Sequence, residues 1–200
     1  MKLLHVQKLL LVLLTICPAV VFAHSESSGN GLVAGLTHPI FGLDHLLAML
    51  SVGIVSAQYG GRLIWLVPAL FVTFMVVGGT LGANGISLPF VELGIALSVL
   101  VLGIGIMLAN NKRITAWLIP LTIAFVIIFG SLHGHAHGVE MPGSASPVYY
   151  SFGFIVSTSL IHLVGVFIGY FVSTNTTLKK FSAVLGALFA GAGCFILMNL

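Results

Sequence analysis

Six long apolar runs, separated by short polar connections, constrain the fold of this chain more than any other feature. They cover residues 32–57, 63–83, 88–109, 114–137, 148–172 and 180–198. Each run exceeds the roughly 17 residues that a transmembrane helix needs. The runs are continuously apolar and lack the apolar–polar alternation of strands in a membrane barrel. The sequence therefore predicts an all-α membrane protein with six transmembrane helices.

The composition argues against the main soluble classes of protein. Hydrophobic residues make up 58% of the chain and charged residues only 6%, whereas a soluble domain carries about a quarter charged residues. A soluble enzyme or a disordered protein would need more charge than this. Seven cations spread over 200 residues cannot track a phosphate backbone, so we expect no nucleic-acid partner. The composition indicates the lipid bilayer as the surroundings of the chain.

Residues 1–23 have the pattern of a secretory signal peptide. Lys2 and Lys8 precede a short apolar core, and a small-residue cleavage site ends at Ala23. The alternative is an uncleaved anchor, which would leave the remaining topology unchanged. After cleavage, residues 24–200 would form one six-helix transmembrane domain with a single cysteine, which excludes a disulfide framework.

The basic residues of the connections indicate the orientation in the membrane. Arg62 lies in the first connection, Lys112 and Arg113 in the third, and Lys179 and Lys180 in the fifth. The second and fourth connections contain no basic residue. Positive residues mark the cytoplasmic side. We therefore expect a multi-pass protein of the bacterial inner membrane, with its mature N-terminus and its C-terminus in the periplasm.

Small residues recur at a spacing that predicts close helix packing. The chain contains 24 glycines, and pairs such as Gly165 with Gly169, or Ser182 with Gly186, lie one helical turn apart. Such pairs let helices approach closely in lipid. The phosphate-binding motif of ATPases is absent from the sequence, which excludes an ATP-driven pump within this chain.

Ionisable residues within the first run indicate a functional site, because such groups are costly in a membrane. The segment reads His38-Pro-Ile-Phe-Gly-Leu-Asp44-His45. On a regular helix, His38 and His45 would lie about 10.5 Å apart along the axis, too far to bind one ion together. Pro39 and Gly42 can interrupt the helix and change this geometry. We interpret the segment as a metal site. The alternative is that His38 caps the run and Asp44 pairs with a histidine.

A second cluster ends the fourth run and reads Leu132-His133-Gly-His135-Ala-His137-Gly-Val-Glu140. His133 and His137 are one turn apart on a helix, which suits a clamp of two imidazoles on one cation. On a regular helix His135 lies on the face opposite His133 and His137. If the glycines unwind the chain, all three histidines could project together. We interpret this segment as metal-binding. The alternative is a hydrated helix end with pH-sensitive histidines.

Two further ionisable residues have two interpretations each. Glu92, about one turn into the third run, is either a carboxylate favoured by the helix dipole or part of the metal site. His162 lies beside the polar residues 157–159, and a bond to a neighbouring helix is its simpler interpretation. The predicted topology places Asp44 and His45 near the middle of the membrane. It places His38, Glu92, the three histidines of the second cluster and Glu140 toward the outside, as in an external funnel.

The two motifs resemble those of the HupE/UreJ family of nickel and cobalt permeases, and the resemblance covers essentially the whole chain. The first family signature, H-P-x-x-G-x-D-H, is matched by His38, Pro39, Gly42, Asp44 and His45. The second, H-G-H-A-H-G-x-E, is matched by residues 133–140, with Leu132 before it where the family usually has Phe. The resemblance implies metal uptake for the maturation of hydrogenase or urease.

The resemblance also implies which residues act on the metal. Those carried over by position are His38, Asp44, His45, His133, His137 and Glu140, whereas His135 matches the motif without a clear role. With His135 and Glu92, these residues are the candidate metal ligands. The substrate is a divalent ion, nickel or alternatively cobalt, and no prosthetic group is expected. Imidazole and carboxylate ligands suit such borderline ions, whereas copper(I) would prefer sulfur.

We therefore expect a secondary permease and no enzymatic activity, with two alternatives. An intramembrane zinc hydrolase could use His133 and His137 as ligands, Asp44 as base and Ser159 as a supporting hydroxyl. Two observations argue against the hydrolase. The candidate ligands cluster toward the outer mouth, and the first motif matches a permease signature in full. A metal-binding accessory subunit that does not transport is the other alternative. Metal flux distinguishes the permease from both.

Overall fold

The computed structural model describes residues 31–109, 111–175 and 178–200, and within these ranges all regular structure is helical. The predicted signal peptide, residues 1–23, lies outside the described residues. The all-α prediction is confirmed for the described part of the chain. Its helices are α1 (Leu32–Phe41), α2 (Leu43–Tyr59), α3 (Leu63–Ala83), α4 (Val91–Leu108), α5 (Lys112–Val139), α6 (Pro147–Thr174), a 3₁₀ turn (Leu178–Phe181) and α7 (Ser182–Leu197).

Helix length and apolar character confirm a multi-pass membrane protein. In the described part of the chain, α3, α4, α5 and α6 are each long and apolar enough to cross a membrane. A fifth candidate arises if α1 and α2 together count as one bent span. Helix α7 is apolar but has only 16 residues. A total of six spans, and their orientation, stay predictions.

The first predicted span, 32–57, is interrupted at Gly42, one of the two residues at which the sequence allows a break. Helices α1 and α2 meet at Gly42 with a bend of 81° between them. Gly42 has an extended backbone (φ −78°, ψ 107°), whereas Pro39 lies inside α1. A Cβ at position 42 would stand 3.1 Å from Nδ1 of His45 and 3.3 Å from Oδ1 of Asp44. Glycine thus breaks the helix and leaves room for two site residues beside the break.

The glycines of the second motif pack helix α5 and do not unwind it. The helix is continuous to Val139. A Cβ on Gly134 would collide with the carbonyl of Met75 on α3, and a Cβ on Gly138 with the carbonyl of Gly79. Because these glycines are four residues apart, they lie on one face of the helix. The packing of α5 on α3 therefore fixes which face the neighbouring histidines present to the interior.

The helices pack in groups, and within each group they approach each other closely at glycines. Besides α3 with α5, α6 packs on α1 and α2, and α4 packs on α7. Gly165 lies against the carbonyl of Leu50, Gly169 against Ile54, and Gly186 against Gly103. The close packing predicted from the small-residue spacing is confirmed. Helices α3 and α6 contact each other much less, and the boundary between them is called the α3–α6 seam below.

We expect Gly134→Ala to destabilise the fold, because the added methyl group has no space against the backbone of α3. Overfilling a packed contact typically costs about 1–3 kcal/mol, which lowers the thermal unfolding midpoint of a chain this long by several degrees. The measurement is thermal unfolding of the purified protein in detergent. Gly191→Ala, in α7 with open space around its Cβ, is the matched control. Equal midpoints for the two variants would contradict the packing role.

Candidate metal site

The bend between α1 and α2 brings the two sequence motifs together. His38 lies in the last turn of α1, His45 in the first turn of α2, and both approach the last turns of α5. The ring centre of His137 lies 4.3 Å from that of His45 and 4.7 Å from that of His38. The ring centre of His133 lies 4.9 Å from that of His45. His38 and His45, which a straight helix would hold apart, have ring centres separated by 6.4 Å.

Three residues at the surface end of this cluster, called the outer trio, have the spacing of metal ligands. One ligand atom each from His38, His137 and Glu140 lies within 4.8 Å of the others. Nε2 of His38 is 2.9 Å from Oε2 of Glu140, and Nδ1 of His137 is 3.8 Å from the same oxygen. The side chains of His38 and Glu140 are 35% and 46% exposed, whereas His137 is 2% exposed. The trio therefore leads from the surface into the interior.

The deeper part of the cluster, called the inner group, consists of Asp44, His45 and His133. Oδ1 of Asp44 accepts a hydrogen bond from the backbone N–H of His45 and lies 2.8 Å from its Nδ1. A proton on Nδ1 leaves Nε2 of His45 free to bind a metal. A carboxylate on the far nitrogen also fixes the ring orientation and strengthens a histidine as a ligand. The pairing of Asp44 with a histidine is thus compatible with a metal site and does not exclude one.

Several imidazole nitrogens of the cluster are buried without a partner. Among the described residues, none bonds to Nε2 of His45, Nε2 of His133 or either ring nitrogen of His137. Nδ1 of His133 lies 2.9 Å from the carbonyl of Phe129, so this ring also directs its lone pair away from its own helix. Buried polar atoms normally have partners. Partnerless nitrogens on neighbouring rings are an arrangement that a bound cation would satisfy.

Aromatic rings that the sequence analysis missed form the walls of the cluster. The ring centre of Phe154 is 4.0 Å from that of His137, and that of Tyr150 is 6.3 Å from that of His38. A cavity of about 250 Å³, lined mostly by apolar residues, reaches His137 from between α3, α5 and α6. Apolar walls exclude water and strengthen electrostatic interactions inside. Nothing in the sequence distinguishes these rings from the many other aromatic residues of the apolar runs.

Two of the candidate ligands lie apart from the cluster. Nε2 of His135 lies 2.7 Å from the carbonyl of Ile86, so this histidine connects α5 to the segment between α3 and α4. Glu92 is exposed in the first turn of α4, where the helix dipole favours a carboxylate. The group of ligand atoms within metal-binding distance in the described part of the chain consists of His38, His137 and Glu140. Asp44, His45 and His133 also lie outside this group but are joined to it by ring contacts and a hydrogen bond, whereas His135 and Glu92 are not. A metal-binding role for either stays a prediction that this geometry does not support.

The fold and the site define a helical membrane protein with a cluster of histidines and carboxylates between its helices. A family model described as "HupE / UreJ protein" matches residues 11–196. Protein HupE of Rhizobium leguminosarum bv. viciae is 40% identical over 149 residues, which cover 74% of this chain and 75% of the relative. No solved structure gives a significant match. The chain belongs to the HupE/UreJ family, which confirms the resemblance that its motifs indicated.

Proposed function

We propose that this protein is a secondary permease that imports a divalent transition metal across the bacterial inner membrane. The substrate we propose is nickel, with cobalt as the alternative, supplied for the maturation of a metalloenzyme such as hydrogenase or urease. One observation carries the proposal: a partly exposed outer trio is joined through His137 to the two buried histidines of the inner group. The mixed imidazole and carboxylate ligands suit these borderline ions, and the family membership is consistent with this class of protein.

The order of the ligands suggests the route of the ion. The outer trio lies at the end of α5 opposite Arg113, and by the positive-inside rule that end faces the periplasm. An ion captured by Glu140 and His38 would next meet His137, and then His45. Because neighbouring ring centres are less than 5 Å apart, the ion can exchange one imidazole for the next without losing all its ligands at once. Such stepwise exchange lowers the barrier to entry into the membrane.

The membrane potential alone would support accumulation of a divalent cation. It supplies about 2.3 kcal/mol per charge per 100 mV, or about 4.6 kcal/mol for a dication. At about 1.4 kcal/mol per tenfold concentration ratio, this corresponds to roughly three decades of inward accumulation. Import therefore needs no ATP site, in agreement with the absence of a phosphate-binding motif from the sequence.

The test of this proposal is metal uptake by proteoliposomes that contain the purified protein. Nickel, cobalt and zinc are compared with and without an imposed inside-negative potential. We expect saturable uptake that the potential stimulates. Tight binding without flux would identify a metal-binding accessory subunit, and turnover of an amide or lipid substrate would identify a hydrolase. The hydrolase has less support because Ser159 lines a separate cavity with His162.

We expect Glu140→Gln to raise the KM for nickel uptake about tenfold and to change the maximal rate much less. Glu140 is the most exposed member of the outer trio, and its charge attracts the cation before the buried histidines bind it. A tenfold effect corresponds to about 1.4 kcal/mol. The measurement is initial uptake rate against nickel concentration. A normal KM at low salt would contradict a capture role for this carboxylate.

A further inference from the structure

A second set of buried polar atoms lies on α6, outside the cluster described above. His162 is 2% exposed, and neither of its ring nitrogens has a hydrogen-bond partner among the described residues. Thr158 lies one turn earlier on the same helix face and is 0% exposed; the hydroxyl also lacks a partner in the described part of the chain. The bond to a neighbouring helix that the sequence suggested for His162 is thus not formed there. These adjacent groups are free to bind a ligand.

A cavity provides the space for such a ligand. It has a volume of about 460 Å³ and lies in the α3–α6 seam; its wall is mostly apolar and also includes His162, Thr73 and Ser159. Six water molecules occupy roughly 180 Å³ at about 30 Å³ each, so the cavity can hold a hydrated divalent ion. Along α3 it extends from Thr73 to Ile64, close to the end of the helix that Arg62 precedes. That is the end predicted to face the cytoplasm.

One aromatic ring separates His162 from the inner group. The ring centre of Phe71 lies 5.3 Å from that of His133 and 5.3 Å from that of His162. Phe71 comes from α3, His133 from α5 and His162 from α6. Because α3 packs closely on α5 but only loosely on α6, a small movement at the seam would change the separation of His133 and His162. The row of histidines from His38 to His133 therefore continues to His162 across the α3–α6 seam.

We propose that His162 and Thr158 form an inner cation-binding station, which receives the divalent metal from His133 and releases it into the seam cavity. The proposal rests on the proposed function, because it takes the ion to be cargo in transit. The imidazole supplies the main ligand, the Thr158 hydroxyl supports it, and water completes the coordination in the cavity. A site with one protein imidazole binds weakly, which suits a station that the ion must leave.

The first experiment compares the native protein with His162→Leu. Nickel titration of the full chain in detergent should show one bound ion fewer for the variant. The affinity for ions bound at the outer trio and the inner group should be unchanged. Nickel uptake by proteoliposomes should fall at least about tenfold. Leu163→Ala is the matched control, because Leu163 lines the same cavity without a metal ligand, and its uptake should equal that of the native chain. Native stoichiometry and native uptake for His162→Leu would overturn the proposal.

A second pair of variants separates binding from folding. His162→Cys keeps a metal ligand but replaces imidazole by a softer thiolate, so uptake should persist and shift from nickel toward cadmium. His162→Gln keeps polarity with a poor ligand, and its uptake should match that of His162→Leu. Equal uptake and equal metal preference for Cys and Gln would show a structural role and overturn the station. If the native protein binds the additional ion but transports none, the proposed permease function fails, and only cation binding at His162 stands.

Discussion

Asp44→Asn should reduce nickel uptake by proteoliposomes about a hundredfold while the chain stays folded. Asparagine has nearly the same shape and can still accept the hydrogen bond from the backbone N–H of His45. The substitution removes the negative charge of the inner group's carboxylate, whose Oδ1 lies 2.8 Å from Nδ1 of His45. Loss of a partner behind a metal ligand costs about 10- to 100-fold. Loss of the charge also leaves a dication among neutral rings in a partly buried site.

The control for this variant is Asp44→Glu, which restores the charge at a slightly different position. We expect its uptake to lie between those of the native chain and Asp44→Asn. Thermal unfolding in detergent should give similar midpoints for all three proteins, since Asp44 is 26% exposed and both substitutions fill its volume. Native uptake by Asp44→Asn would count decisively against the inner group as part of the route.

Most residues of the cluster were predictable from the sequence because each motif carries its histidines and carboxylates within a few residues, whereas Glu92 and His135, which the sequence also offered, lie apart from it. The spacing of His133 and His137 on one helix is sufficient to place both rings on one face. Gly42 was also a predictable point of interruption. The bend of 81° was not, because it depends on the packing of α1 against α6, where Gly35 lies directly on the backbone of Tyr150. Local sequence determines that a helix can break there, and tertiary contacts determine in which direction.

Contacts between distant parts of the chain account for what the sequence could not predict. His38 and Glu140 are 102 positions apart, and their pairing follows only when α1 folds back toward the end of α5. The partnerless nitrogens of His162 and the cavity beside it depend on three helices at once. Conversely, the regular geometry of an uninterrupted α5 predicts that His135 points away from His133, as the structure confirms through its contact with Ile86.

One residue, His137, connects the outer and inner parts of the cluster. Glu140 and His38 are partly exposed and can exchange ions with water, whereas His45 and His133 are buried. His137 contacts both parts, with ring centres 4.7 Å from His38 and 4.3 Å from His45. Both of its nitrogens lack hydrogen-bond partners in the described residues. A side chain with two free nitrogens between two ligand groups is suited to pass an ion from one to the other.

His137→Ala should therefore lower nickel affinity and nickel uptake together, each by about a hundredfold or about 2.8 kcal/mol. The outer trio loses its buried ligand, and the nearest route from His38 to His45 loses its intermediate. His135→Ala is the matched control, because it removes a buried histidine two residues away that contacts Ile86; its affinity should stay within about threefold of the native value. Isothermal titration of the detergent-purified protein and proteoliposome uptake give the two quantities. If both substitutions had the same effect, the loss would come from damage to the end of α5, and His137 would not be the link between the two ligand groups.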